Sequence, residues 1–318
     1  MTIHLTDGHT ELSFQYMQVE GNSETLLQFL LRRFRYLDES EWRQSIRQQR
    51  LWVDNRLGRP SQRLRNHQRI TYLRPDFLEP EVDENFEVVY EDDALIAFNK
   101  SGNLPTSPSG KYFKHTLVNL AKQRLGRETL LTLHRLDRET SGVVAFAKHK
   151  AAAQKVAEYF RNRQIHKTYQ AILSKHLPEP VTVDQPIGPA LDSVIRIKQA
   201  VTPQGKPSQT HFQPLDEIGD SQLVEVRPLT GRTHQIRVHA AYLGFPILGD
   251  KLYGLADEGF LRWLEEGEAC LSALGCVVCR QLLHASEICF PHPDTGEEIM
   301  IRADNTRLLR DFSEGTKV

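Results

Sequence analysis

Charge in this chain reverses abruptly near residue 75. Residues 22–74 hold twelve arginines, no lysine and five acids, a balance of +7, whereas residues 75–98 hold nine acids and no base. The formal net charge of −1 hides both. At the reversal lies the stretch 75–86, with two prolines, five acids and little periodicity, which is the composition of an inter-domain linker. Such a chain is expected to fold as two bodies: an extension over 1–21, a small domain over 22–74, the acidic linker 75–86 and a large domain over 87–318. A length of 318 residues with 39% hydrophobic content suffices for both.

Within the small domain, residues 24–34 place Leu26, Leu27, Phe29, Leu30, Leu31 and Phe34 at helical spacing behind Ser23, a residue suited to the N-cap. Residues 39–47 predict a second helix, with Trp42 and Ile46 inward and Arg43, Arg47 and Arg50 outward. Two short strands, 51–53 and 70–73, follow, the first ending in a turn at Asp54 and Asn55. An arginine-only basic face suits planar, bidentate contact with phosphate, and Arg43 and Arg47 are the expected contacts. A solvated, salt-bridged face is the ordinary alternative.

The large domain alternates strands with a few helices. Residues 86–90, 94–99, 143–147, 165–173, 209–214, 223–227, 287–290 and 298–301 have strand character, and 115–125, 150–160 and 233–242 have helical character, with a long excursion running to Cys279. Strands that gather centrally with helices at the periphery predict an α+β architecture rather than regular βαβ units.

One string in this domain carries chemistry: His134-Arg135-Leu136-Asp137-Arg138-Glu139-Thr140-Ser141-Gly142. A carboxylate framed by two arginines stays ionised, and an ionised carboxylate acts as a nucleophile or stabilises a developing positive charge. A turn-capping Asp137 with solvated arginines accounts for the local pattern equally well. About a hundred residues on, Gly231-Arg232-Thr233-His234-Gln235-Ile236-Arg237-Val238-His239 is again cationic and again follows a strand-like run.

Together these strings resemble the RluA-type pseudouridine synthases, whose signature HRLDRxTSG is matched at every fixed position. The resemblance continues through Lys167-Thr168-Tyr169, through 244–254 (GFPILGDKLYG), and through Leu283-His284-Ala285 with 290–293 (FPHP) behind it, covering roughly residues 86–303 in order and spacing. The small domain resembles, more loosely, the alpha-L RNA-binding motif named from a ribosomal small-subunit protein. There the family's glycine after the second helix is Arg50 or Gln49, and its Asn-Gly turn is Asp54-Asn55.

The resemblance implies the pseudouridine synthase fold, a long, mostly antiparallel sheet with a catalytic cleft across its middle, and the isomerisation of uridine in RNA, ribosomal large-subunit RNA favoured and transfer RNA the alternative. It makes Asp137 the nucleophile, gives Arg232 the ion pair that orients it, and makes Tyr169 the active-site tyrosine that stacks on the base and moves its proton. Leu283 becomes an apolar floor, and Arg135 fills the gap left by a flipped nucleotide, or else serves a structural ion pair. His134, Thr140 and Ser141 fix the loop. In the segment 99–112, Ser101 replaces a family proline and Ser107 a family histidine, which bears on substrate choice rather than chemistry. A noncatalytic RNA-binding or ribosome-assembly factor is the rival reading, but it needs no Asp137, Tyr169 and Arg232 together. A hydrolase needs a second carboxylate or a positioned water.

Cys276 and Cys279 have metal-like spacing, but Cys270 and Cys289 supply no matching pair and the flanks are apolar, so buried reduced thiols are expected. Neither His-Glu-x-x-His nor a phosphate-cradling GxGxxG or GxxxxGK occurs. The expectations are thus no metal, no cofactor, RNA as partner, no membrane span, a cytoplasmic location and a monomer.

Overall fold

Helices α1 (Leu26–Arg33) and α2 (Glu39–Arg47) each start on a capping box. In α2, Asp38 accepts from the Glu41 amide and Glu41 returns the bond to the Asp38 amide, as the sequence boundaries require. In α1 the cap is Thr25 rather than Ser23, because only Thr25 has an amide side chain three residues on, Gln28, to close the box. The computed structural model describes residues 2–6, 9–18, 23–34, 37–75, 79–110 and 112–315. It divides into two units, Met1–Leu78 and Glu79–Val318.

In the first unit, β1 (Thr2–Thr6), β2 (His9–Gln15), β3 (Leu51–Val53), β4 (Arg56–Leu57) and β5 (Arg69–Pro75) form one sheet in the order β1-β2-β5-β3-β4. The expected extension 1–21 is therefore part of this body: β2 runs antiparallel to β5 from His9 opposite Pro75 to Gln15 opposite Arg69. Buried Leu12 and Tyr16 on this stretch supply the apolar surface that draws it in. Asn22, the expected boundary, lies outside the described residues. Asp54 and Asn55, both at positive φ (47° and 63°), make a two-residue hairpin loop between β3 and β4, and Gln49 (φ 60°) takes the left-handed position after α2.

The second unit comprises β6 (Phe86–Glu91), β7 (Leu95–Lys100), α3 (Leu117–Leu125), β8 (Leu131–Thr132), β9 (Ser141–Ala147), α4 (Lys150–Arg161), β10 (His166–Leu173), β11 (Val181–Asp184), β12 (Ile187–Pro189) and β13 (Gln199–Val201). It continues with β14 (Gln209–Ile218), β15 (Ser221–Pro228), α5 (Gln235–Tyr242), α6 (Lys251–Gly254), α7 (Asp257–Glu266), β16 (Leu283–Pro291), β17 (Glu298–Arg302) and α8 (Thr306–Gly315). Its large sheet runs β11-β14-β15-β10-β16-β9-β7-β6, with β17 on β16 and β8 on β9. Strand-rich with peripheral helices, the fold is α+β. The excursion before Cys279, which shows little strand character, carries α6 and α7. Among the described residues no helix is long and apolar enough to cross a membrane.

Strands β7 and β9 are buried along their whole length, and this explains why they read as continuous apolar runs rather than alternating ones. One face, with Phe98, Val144 and Phe146, packs under Leu117 and Leu120 of α3; the other, with Ala97, Val143 and Ala145, packs under Val156 and Tyr159 of α4. Against β9, β16 runs parallel, Ser141 facing His284 and Gly142 facing Ala285. Gly142 has φ +107°, and a Cβ there would stand 2.2 Å from the Ala285 carbonyl oxygen. Only glycine allows this approach, and the approach sets β10, β16 and β9 side by side where the cleft opens.

The acids of the expected linker are structural in the second unit. Glu79 accepts from the Lys114 and His115 amides at 2.7 and 3.0 Å. Asp83 pairs with Arg307 at 3.1 Å, and Val82 packs on the core. The division between units falls at Leu78/Glu79, so residues 79–86 belong to the larger one; 76–78 lie outside the described residues.

Candidate active site

The loop between β8 and β9 is clamped from behind along its length. The Leu136 amide donates to Thr106 Oγ1 at 3.2 Å, and the same hydroxyl donates to the Leu136 carbonyl. The Arg138 carbonyl accepts from the Leu104 amide and from Nζ of the fully buried Lys100, both at 3.1 Å. Glu139 is held by Lys251 at 2.9 Å and by the Gln281 amide at 3.1 Å, and Thr140 by the Gln281 side chain at 2.8 Å. Ser141 meets His284 Nδ1 at 3.0 Å. Within this fixed loop Asp137, partly exposed, and Arg135, exposed, both line the same two cavities.

Asp137 Oδ2 accepts a hydrogen bond from Arg237 Nη1 at 2.9 Å. The other edge of that guanidinium is committed to Asp250, Nε to Oδ2 at 2.6 Å and Nη2 to Oδ1 at 2.8 Å. Asp250 is itself locked, because its Oδ1 accepts from the Leu252 and Tyr253 amides at the start of α6. Tyr253 lies under the Arg237 guanidinium at 5.0 Å and shares a 2.8 Å hydrogen bond with His234 Nδ1. His234 Nε2 stands 4.0 Å from Asp137 Oδ2.

The electrostatics follow from this arrangement. Enclosure by protein alone would push the Asp137 carboxyl up, but the Arg237 charge, with His234 second, outweighs it and holds the group below the ordinary carboxylate value. A side chain that keeps 37% of its surface open to the cavities is thus an anion in reach of a ligand. Burial lowers the His234 pKa, and Arg237 adds to this. Burial, with the Asp137 charge behind it, raises the Tyr169 hydroxyl, so the phenol keeps its proton near neutrality.

The expected ion pair is therefore made by a different arginine. Arg232 precedes α5, its Nε donates to the Pro207 carbonyl at 3.1 Å, and its backbone amide is used by Gln235; it lines the Asp137 cavity without pairing the carboxylate. Arg237 lies on α5 and is turned inward. The sequence held a signal for it: an arginine between Ile236 and Val238, on a segment read as helical, must be paired if it is buried. Asp250, in the GDKLYG string, and His234, in the second cationic string, complete the set around Asp137.

Tyr169 and Leu283 line one cavity of about 120 Å³ with Asp137, Lys167 and Arg232. Tyr169 is opposite Ala285, and the register slips between Thr168 and Tyr169, so that Ser286 is skipped. Such a bulge re-aims the strand's side chains. On its far side Asp137 borders a second cavity of about 350 Å³ with Thr106, Tyr112 and Trp263. Arg43 and Arg47 are in the other unit. Both are exposed on one face of α2, as expected, but Arg43 is paired with Glu39 at 2.8 Å, whereas Arg47 has no ion-pair partner among the described residues. Among the described residues no group of three or more His, Cys, Asp or Glu is placed to hold a metal, and Cys279 is exposed rather than buried.

Residues 94–242, which hold both cationic strings and the Asp137–Arg237 pair, match the family described as RNA pseudouridylate synthase. An uncharacterized RNA pseudouridine synthase of Synechocystis is 33% identical over 230 residues, 72% of this chain and 79% of that one. This chain belongs to the RNA pseudouridine synthase family. The ribosomal large subunit pseudouridine synthase C of Vibrio cholerae is 36% identical over 217 residues, 68% of this chain and 64% of that one. The solved structure of human RNA pseudouridylate synthase domain containing 1 superposes with a TM-score of 0.55 at 30% identity, over 71% of this chain and 86% of that one. As a pseudouridine synthase of the RluA type the chain is an isomerase, and the sheet just described is the pseudouridine synthase fold.

Proposed function

We propose that the protein converts specific uridines of structured RNA to pseudouridine with Asp137 as nucleophile, and that its target is ribosomal large-subunit RNA, with transfer RNA the alternative. The observation that carries the reading is the Asp137–Arg237 pair, an anion held ionised at the edge of a cavity that also contains Tyr169 and Leu283. The ribosomal target rests on the names of relatives such as the Vibrio synthase, of whose length this chain covers 64%.

Asp137 attacks the sugar or removes a sugar proton, and the bond from ribose to the ring nitrogen breaks. The cavity keeps the freed uracil beside Tyr169 and over Leu283 while it turns; carbon 5 then bonds to the ribose as the Asp137–sugar bond breaks, or as the removed sugar proton returns. The Tyr169 hydroxyl relays, passing its own proton to water as it takes the one on carbon 5, while the vacated ring nitrogen takes a proton from water. Arg237 keeps the carboxylate charged and aimed. Because a stacked uridine cannot reach the cavity floor, the nucleotide is flipped, and Arg135 at the rim fills its place. The exchange of one glycosidic bond for another needs neither redox chemistry nor an external energy source, so the protein is proposed to work without metal or cofactor, as a monomer in the cytoplasm. The first unit adds phosphate contacts through exposed arginines such as Arg47, with Arg43 contributing where Glu39 releases it.

RNA carrying tritium at carbon 5 of uridine tests this. Tritium release without loss of uracil is expected. No release would favour a noncatalytic RNA-binding factor, and release of free uracil a hydrolase.

A further inference from the structure

Cations around Asp137 are distributed unequally. On the Thr106 and Trp263 side the cations other than Arg135 at the rim have carboxylate partners: Arg138 and Lys251 share Glu139 at 2.9 Å, and Arg237 meets Asp250 at 2.6 Å. On the Tyr169 side a larger groove of about 770 Å³ opens, and it shares Lys167, Thr230, Gly231 and Arg232 with the Asp137 cavity, so the two spaces adjoin. Its basic side chains are Arg161, Arg163, His166, Lys167, Arg227 and Arg232. Arg227 is paired with Glu225 at 2.7 Å, but Arg161, Arg163, Lys167 and Arg232 have no carboxylate at ion-pair distance among the described residues. Of the two acids in the groove, Glu287 is already engaged by Arg302 at 2.8 Å.

A half-buried lysine at the junction deepens the asymmetry. Lys167 lies at the start of β10, its ammonium 4.9 Å from the Phe160 ring centroid, withdrawn from water without a counter-charge. A cation so placed costs free energy in the free protein, and an arriving anion recovers it. Arg161 and Arg163, at the end of α4 and just beyond it, extend the positive track outward and are exposed.

We propose that the RNA strand on one side of the target uridine leaves the catalytic cavity along this groove, its phosphates held by Lys167 and Arg232 at the junction and by Arg161 and Arg163 farther out. This rests on the isomerase reading and extends it: strand direction through the site is set by which cations the protein leaves unneutralised. Counterion release from such contacts makes affinity salt-dependent, by about 0.7 of a log unit per phosphate for each tenfold change in salt on a single strand.

The double variant Arg161→Gln, Arg163→Asn tests the track. Neither residue lines the cavities around Asp137, and asparagine tolerates the left-handed backbone of Arg163, φ 58°. Binding and turnover are measured on a long structured RNA across a salt series, then on two RNAs trimmed close to the target uridine on one side or the other. The expected result is a raised Kd and KM, a salt slope shallower by about 1.4, and kcat changed less than about twofold. Trimming on one side should make variant and wild type indistinguishable, and trimming on the other should not. An unchanged salt slope, or equal sensitivity after both trimmings, would overturn the track. Wild type that binds with the expected slope yet releases no tritium would sink the isomerase reading and leave the track standing.

Discussion

Arg237 is held by Asp250 on one edge and holds Asp137 on the other, so the geometry of the proposed nucleophile is set by a carboxylate more than a hundred residues away in sequence. The side chain of Asp250 is fully buried, and that of Arg237 is 10% exposed. A bridge of this kind resists rotation, because the inner salt bridge fixes the guanidinium plane before the outer bond is made.

Replacing Arg237 should therefore do two things. Arg237→Gln leaves Asp250 buried and uncompensated, at a cost of about 3–5 kcal/mol in stability, which a thermal melt reads. It also removes the largest influence holding the Asp137 carboxyl down. The pKa should rise, and since the anion is the active form, the acid limb of the pH–rate profile should move to higher pH. Arg232→Ala should leave that limb in place and weaken RNA binding instead. The reverse pattern would return the pairing role to Arg232.

For Tyr169 the direction of the shift separates two roles. A phenol whose pKa is raised by burial and by Asp137 carries its proton throughout the working range. Tyr169→Phe keeps the stacking surface and loses the hydroxyl, so turnover should fall by about 10²–10⁴-fold with KM little changed. Near-wild-type turnover in Tyr169→Phe, with a large loss only in Tyr169→Ala, would mean that the ring, and not the hydroxyl, is what matters.

Lys167 gives a pH signature of opposite sense. Burial brings its pKa down to about 8. Above that pH the ammonium loses its proton and its attraction for phosphate, so KM for RNA should climb as pH rises from 7 to 9. Lys167→Arg stays charged and should flatten the climb. A wild-type KM independent of pH over this range would contradict a phosphate contact at Lys167.

Gly142→Ala tests the strand junction under the cleft. The added Cβ meets the Ala285 carbonyl oxygen at 2.2 Å on a backbone at φ +107°. The change should cost about 3 kcal/mol or more and lower the melting temperature by roughly 6 °C or more. A melting temperature within about a degree of wild type would show that β9 and β16 part easily.

What the sequence made legible was decided by local chemistry. The loop carrying Asp137 and the positions of Tyr169 and Leu283 were readable because each sits in a short fixed string on or beside a strand. The small unit's two helices followed from the apolar period of Leu26 to Phe34 and of Trp42 and Ile46, although the residue that caps the first is Thr25 and not Ser23. Arg237 was missed because the choice between two arginines five residues apart depends on where α5 begins, and Gln235 fixes that start only through long-range hydrogen bonds to Gln209 and Thr210. β2 was missed because its partner, β5, lies some sixty residues on. The roles of Glu79 and Asp83 were hidden in the same way: an acid that caps a distant backbone looks, in sequence, like an acid in a linker.

The central claim is that the Asp137 carboxylate, held ionised by Arg237, performs the chemistry. The most direct measurement compares Asp137→Asn with wild type for tritium release from carbon 5-labelled RNA, alongside RNA affinity and thermal melting. The amide keeps the shape and can still meet Arg237, so binding should stay within a fewfold of wild type while release falls to background. Release at a substantial fraction of the wild-type rate would contradict the claim outright. A variant that melts far below wild type and binds RNA poorly would show that Asp137 is there to anchor Arg237 and not to react.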